Sequence, residues 1–196
     1  MGEIWQKMYN YIKRILDVVV SLAILLLIFP LLLFLMILIG LDSSGSPLFL
    51  QKRIGQYGKQ FTLLKLRSMV SNASQLGSFQ TAAGDFRITR VGRFLRMTSL
   101  DELPQMWNVL VGDMSLIGPR PETPQQKSLY SENDWQLRHR VKPGITGLAQ
   151  VNGRSNLSPE ERLRFDLKYA TECSLQMDMQ IVAKTLKVVF TGRGAN

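Results

Sequence analysis

The hydrophobic positions are spread unevenly along the chain. Residues 18–41, VVVSLAILLLIFPLLLFLMILIGL, contain no charged side chain. A helix built from them is apolar on every side, so it suits a lipid environment better than the surface of a soluble domain. The run is longer and more continuous than the apolar core of a signal peptide, and no small-residue cleavage site follows it. The segment is therefore expected to be retained. Pro30 sits near its middle, where it removes one helical hydrogen bond and crowds the preceding turn. The segment then either crosses the membrane with a kink or turns back at the proline. The flanks decide between these. Lys7, Lys13 and Arg14 lie upstream, and Lys52, Arg53, Lys59, Lys65 and Arg67 lie downstream. Basic residues mark cytoplasmic flanks, and here both flanks are basic. The pattern predicts a re-entrant helix-break-helix hairpin, whose halves of about 12 residues are each too short to cross alone. Lys13 and Asp17, four residues apart, are expected to form an ion pair on one helix face.

Beyond residue 41 the patterning becomes that of a small folded domain. Residues 47–51 read as a strand, residues 54–59 as a glycine-containing turn, and residues 60–69 as a hairpin partner. Residues 70–85 are small and polar without periodicity and read as a mobile loop. Residues 87–98 have partly helical spacing, with Arg87, Arg90, Arg93 and Arg96 at every third position. That basic stripe reads as a solvated face or as one lying on anionic headgroups. Residues 103–111 predict a short helix, and residues 125–141 predict one helix carrying Trp135. Residues 143–154 read as a glycine-rich loop. Ser158, Pro159 and Glu161 mark a helix start with a capping box. Residues 175–190 close the chain as a helix. The fold class is α+β and mostly helical, with a short β-hairpin and interfacial amphipathic helices. An anchor over residues 1–41 precedes a single domain over residues 42–196.

Charge and composition narrow the chemistry. Twenty-four Lys and Arg residues stand against 15 Asp and Glu, a formal net charge of +9. Such a surface favours anionic partners. Aromatic residues are not interleaved with the basic ones as stacking platforms, so lipid headgroups and phosphorylated substrates are favoured over nucleic acid. One cysteine, Cys173, and one histidine, His139, exclude a disulfide, a multi-Cys/His zinc site and an intrachain Ser-His-Asp triad. Any chemistry runs on carboxylates, hydroxyls, Lys, Arg and a hard cation.

Residues 98–105, TSLDELPQ, place Asp101 and Glu102 side by side ahead of Pro104. Adjacent carboxylates before a proline are common at a helix start, where the dipole favours them. They also fit a nucleophile that attacks phosphorus, with a neighbour that helps hold Mg²⁺. Arg120 stands in GPRP, between prolines that stiffen the backbone, and suits two-pronged phosphate contact. It reads equally as a pinned surface turn. Three glycines in residues 142–154, KPGITGLAQVNGR, permit close backbone approach without matching a nucleotide-loop pattern.

In order along the chain stand K-R-x-x-D at Lys13, Arg14 and Asp17, K-x-R-S-M at residues 65–69, and S-L-D-E-L-P-Q at residues 99–105. WNVLVGDMSLIGPRP at residues 107–121 and the KPGITG segment follow. This series resembles the bacterial sugar transferases, the monotopic phosphoglycosyl transferases, in their minimal form. The resemblance implies transfer of a phosphosugar from a UDP-sugar to undecaprenyl phosphate with release of UMP, by a ping-pong route. It implies Asp101 as the nucleophile, Glu102 as its partner with Mg²⁺, and both carboxylates as metal ligands. Arg120 is implied as a phosphate contact, with Lys65 and Arg96 as further basic groups of the site. It places the protein on the cytoplasmic face of the bacterial inner membrane, with membrane lipids around the Pro30 break. Downstream glycosyltransferases would take its product. In one respect the chain departs from the family pattern: Phe29 precedes Pro30 where a serine is common. A reading from a different class is a basic membrane-anchored module that binds anionic lipid or nucleic acid without catalysis. Such a module tolerates Asp101→Asn.

Overall fold

The structure is a computed structural model in which residues 2–77, 84–153 and 157–191 are described. It is mostly helical with a small sheet component, as the patterning predicts. Helix α1 (Gly2–Asp42) is the only described helix long and apolar enough to cross a membrane. Most of its apolar side chains are exposed, with Leu26, Leu27, Phe29 and Ile37 well open. Pro30 lies inside it, and the helical backbone continues past the proline without a break. The expected two-helix description is corrected here to one continuous helix. A proline inside a helix forfeits one hydrogen bond and crowds one turn, which need not end the helical run on either side.

Both flanks of α1 dock on the rest of the chain. Near its start, Arg14 donates to the Val109 and Leu110 carbonyl oxygens, each at 2.7 Å. These carbonyls belong to the last turn of α4 (Gln105–Val111), where a helix leaves acceptors unsatisfied and favours positive charge. Lys13 pairs with Asp178 at 2.7 Å. Asp17 accepts from the Ser115 hydroxyl and from the Leu116 N–H. The expected Lys13–Asp17 pair is thus replaced by two tertiary contacts, because buried partners on other elements offer each group more than a solvated neighbour does. Near the end of α1, Leu35 and Ile39 form a buried cluster with Leu66 and Leu95. Asp42 accepts from the Val91 N–H in the first turn of α3 (Arg90–Thr98), a position that favours an acid.

The expected hairpin is present as β1 (Leu48–Ile54) and β2 (Gln60–Leu66), antiparallel, with Phe49 opposite Lys65 and Arg53 opposite Phe61. The buried Asn108 amide on α4 binds the β2 backbone at both ends, donating to Thr62 O and accepting from Leu64 N. A two-stranded sheet leaves its edges unpaired, and this amide occupies one of them. The segment read as a loop over residues 70–85 carries a one-turn helix, α2 (Ala73–Leu76), and residues 78–83 of it lie outside the described residues. The helix expected over residues 125–141 is two pieces, a 3₁₀ turn (Pro124–Leu129) and α5 (Glu132–Arg138). Ser131 caps α5 by accepting from the Asp134 N–H, and an N-cap residue is not helical.

The glycine-rich segment is also more ordered than read. Gly144–Thr146 forms β4, parallel to β3 (Ser115–Ile117), and α6 (Leu148–Val151) follows; Arg154 lies outside the described residues. A Cβ on Gly118 would meet the Lys142 carbonyl oxygen, and one on Gly144 or Gly147 would meet the backbone of Gly118. Glycine is what lets these two segments touch backbone to backbone. The expected capping box is present at α7 (Pro159–Glu172), and α8 (Leu175–Thr191) ends the described chain. Asp178 on α8 gathers Tyr9, Lys13 and Tyr169, which ties the start of α1 to α7 and α8.

Candidate active site

Asp101 and Glu102 sit in a 3₁₀ turn (Leu100–Glu102) between α3 and α4. They are not inside a helix start: Pro104 caps α4 two residues later. Ser99, between α3 and the turn, has φ 56° and ψ 19°. A left-handed conformation is uncommon outside glycine and asparagine, and it is held here at a bend that swings the two carboxylates away from the α3 axis. Leu100 packs on the cluster that joins α3 to α1.

The two carboxylates have different surroundings. Glu102 Oε1 accepts from Lys65 Nζ at 2.8 Å and from Arg120 Nη2 at 2.7 Å. Burial works to raise the Glu102 carboxyl, but Arg120 and Lys65 outweigh it and hold the group down at about 2. Asp101 has no hydrogen bond or ion pair with any described residue. Burial raises its carboxyl above the ordinary range, and the Glu102 charge adds to this, while Lys65, Arg96 and Arg120 pull the other way. One acid is thus clamped and fully ionised. The other is unpaired, half-buried and surrounded by cations, a condition that suits a nucleophile.

The structure therefore brings Lys65, Glu102 and Arg120 into direct contact, with Asp101 beside them. Arg96 is held differently: its Nε donates to Ser68 Oγ at 2.9 Å, and only its charge bears on Asp101. The arginine stripe does not act as one face. Arg87 is buried against Asp85, Arg96 is half-buried at Ser68, and Arg90 and Arg93 are exposed beside Phe94 and Met97. Pro30 lies in the exposed middle of α1, and no contact places it at the dyad.

Sequence reasoning missed the support beneath Arg120. Arg138 Nη2 donates to the Arg120 carbonyl oxygen at 2.7 Å and pairs with Asp166 at 2.8 Å and Glu122 at 3.3 Å. Arg138 and Asp166 are each 2% exposed, so this is a buried charge group that fixes the GPRP backbone. Glu122, directly after that motif, was the available signal. Arg138 and Asp166 stand on separate helices, and nothing in their spacing connects them to Arg120.

Among the described residues no three His, Cys, Asp or Glu side chains gather as a metal cluster. Two adjacent carboxylates do fit Mg²⁺, which commonly takes one or two protein carboxylates and completes its shell with water and substrate phosphate. An open groove of about 730 Å³ lies at the hairpin turn, lined by Tyr57, Trp135, Gln136 and His139 among others. It includes neither carboxylate nor Arg120, so it is separate from this chemistry.

Comparison with known proteins gives one consistent result. The family model described as bacterial sugar transferase matches residues 8–192. The chain is 42% identical over 195 residues to the UDP-N-acetylgalactosamine-undecaprenyl-phosphate N-acetylgalactosaminephosphotransferase of Aeromonas hydrophila, covering 95% of this chain and 45% of that protein. It is 42% identical over 191 residues to the UDP-glucose:undecaprenyl-phosphate glucose-1-phosphate transferase of Escherichia coli strain K12, covering 94% of this chain and 41% of that protein. A Caulobacter vibrioides protein with the same description is 43% identical over 186 residues, covering 91% of this chain and 70% of that protein. The chain thus spans less than half the length of the first two relatives.

Proposed function

The chain belongs to the bacterial sugar transferase family, and from that premise we propose that it transfers a sugar-1-phosphate from a UDP-sugar to undecaprenyl phosphate. The observation that carries this reading is the contrast within the dyad. Glu102 is clamped by Lys65 and Arg120, while Asp101 is left unpaired and burial-raised. An Asp101 carboxylate oxygen attacks the phosphorus that bears the sugar. A bond forms from that oxygen to phosphorus, and the bond from phosphorus to the bridging oxygen breaks. The bridging oxygen keeps the electron pair and leaves as part of UMP. A phosphate oxygen of undecaprenyl phosphate then attacks the same phosphorus, which frees Asp101 and yields the diphosphate-linked sugar.

Arg120 and Lys65 reach the dyad from GPRP and from β2, so they suit neutralising the charge of the transferred phosphoryl group. Arg96 adds positive charge near Asp101 from α3. Asp101 and Glu102 would hold Mg²⁺, which supplies further charge neutralisation on the phosphate oxygens.

The reading also sets α1 as a re-entrant membrane element, a continuous helix bent at Pro30, with the dyad on the cytoplasmic face of the inner membrane. Docking of both α1 flanks on the domain that follows supports this, as do the basic residues on both sides of the apolar run. The product, a lipid-linked sugar diphosphate, is a substrate for glycosyltransferases that extend it.

The test is UMP release from UDP-glucose, UDP-galactose and UDP-N-acetylgalactosamine, with undecaprenyl phosphate and Mg²⁺, by wild type and by Asp101→Asn. Release with at least one sugar, lost in the variant, is the expected result. Equal release by Asp101→Asn would remove Asp101 from the mechanism. No release with any sugar, together with no phosphosugar trapped on Asp101, would overturn the proposed reaction.

A further inference from the structure

Arg53 lies next to the dyad's basic clamp, but the transfer chemistry above does not use it. Register puts it on the same face of the hairpin as Lys65: Phe49 faces Lys65 and Arg53 faces Phe61, with Gln51 and Leu63 between. The Arg53 and Lys65 backbones are four rungs apart, about 13 Å along the strands. Lys65 reaches Glu102, while Arg53 Nη1 donates to the Pro121 carbonyl oxygen at 2.9 Å, one residue past Arg120. Its Nε and Nη2 both donate to Gln51 Oε1, at 3.2 Å and 2.7 Å. All its partners are neutral, and it forms no ion pair with any described carboxylate. One N–H on each terminal nitrogen is left without a partner. Arg53 thus sits on the GPRP backbone one residue past Arg120, held only by neutral groups.

Holding two like charges together is unfavourable, and the cost shows on Arg53. Burial lowers its guanidinium, Arg120 lowers it further, and the charges of Glu122 and Glu102 only partly offset this. A half-buried arginine held by neutral groups on the backbone beside Arg120, with two N–H donors spare, is arranged to bind an anion. Position indicates which anion. Lys65 contacts the dyad, and Arg53 stands four rungs away from it along the hairpin, at the Pro121 carbonyl oxygen. Arg53 therefore lies farther from the dyad than Lys65 does, on the Pro121 side of Arg120.

We propose that Arg53 is a substrate-binding residue that, with Arg120, holds the phosphate that departs with the nucleotide. The inference rests on the phosphosugar-transfer reading of the site. In the first half-reaction the bridging oxygen leaves with the electron pair and its charge grows on that phosphate, where the Arg53 guanidinium is already positioned. In the second half-reaction the nucleotide has gone, and Arg53 has no part.

The experiment uses the full chain in lipid nanodiscs, as wild type, Arg53→Gln and Arg53→Lys. Three quantities are measured: KM for the UDP-sugar, the inhibition constants of UMP and of uridine, and the rate at which the preformed Asp101 phosphosugar is passed to undecaprenyl phosphate. Arg53→Gln is expected to raise KM and the UMP constant about tenfold, one order of magnitude for one charge-assisted contact. Uridine inhibition and the second half-reaction should stay unchanged, and Arg53→Lys should fall between. An unchanged UMP constant overturns the proposal. So does an equal loss in both half-reactions, or an equal loss for uridine, because either marks a merely structural arginine. A fall in Tm with Arg53→Gln shifts the comparison to Arg53→Lys, where the same split must appear. If wild type releases no UMP, the transfer reading fails. Direct titration with UMP then tests Arg53 by itself: tighter binding by wild type than by Arg53→Gln keeps the anion site, and equal binding removes it.

Discussion

At the scale of single residues, two neighbouring carboxylates of the same chemistry are separated by their surroundings. Glu102 is held by Lys65 and Arg120, and Asp101 is not held at all. Because burial raises the folded-state carboxyl of Asp101, ionising it at neutral pH disfavours the folded chain. Asp101→Asn removes that penalty. The variant should lose activity by about 10³-fold or more, with a Tm equal to or above that of wild type. A clearly lower Tm would show that Asp101 serves the fold. For Glu102 the sign is opposite. Its carboxyl lies at about 2 in the folded chain against an ordinary value of 4.5. The stability it contributes is complete above about 4.5 and is lost as pH falls toward 2. Across that interval wild type should lose more Tm than Glu102→Gln, and parallel curves would show that the clamp does not stabilise the fold.

At the scale of elements, close approach decides where α3 lies. A Cβ on Gly92 would meet the Ser68 carbonyl oxygen, and the Ser68 hydroxyl holds Arg96. Gly92→Ala should therefore cost about 1–3 kcal/mol, read as a Tm drop of roughly 2–10 °C, and lower turnover with it. Gly40, where a Cβ meets nothing within 4 Å, should accept alanine without loss. The same scale shows what the sequence made legible. The hairpin, the α7 capping box and the dyad are local patterns of alternation, cap chemistry and motif, and they could be read along the chain. The α5 boundary was also local, in Ser131 and Asp134, but the apolar spacing around Trp135 obscured it. The β3–β4 pair was not legible, since three-residue strands exist only by pairing across the fold. Nor was the Arg138 group beneath Arg120, whose members meet only when α5 and α7 pack. Lys13 and Asp17 have the spacing of a helical ion pair, and tertiary partners took both.

At the scale of the whole molecule, both ends of α1 are fastened to the domain that follows, by Arg14 and Asp17 on α4 and β3 at one end and by Leu35 and Ile39 on β2 and α3 at the other. In a re-entrant arrangement both ends face the cytoplasm. With Cys173→Ser as background, Lys7→Cys and Ser44→Cys should both resist a membrane-impermeant maleimide added outside sealed cells. Both should label in inverted vesicles. Labelling of either one from outside would exclude the arrangement and leave α1 as a spanning helix.

The contact of Leu100 with the Leu35–Ile39 cluster ties the chemistry to an altitude. On the proposed reading the attacking carboxylate belongs to the next residue, and with α1 in lipid the helix acts as a depth gauge for it. A helix advances 1.5 Å and turns 100° with each residue. One residue inserted between Pro30 and Leu35 would therefore shift the docking side chains round the axis and release the cluster. Seven inserted residues would bring the same face back but displace it by about 10 Å along the axis. On that reading, the length of α1 between its proline and its dock, more than its composition, fixes the level at which the carboxylate meets a phosphate carried on a lipid.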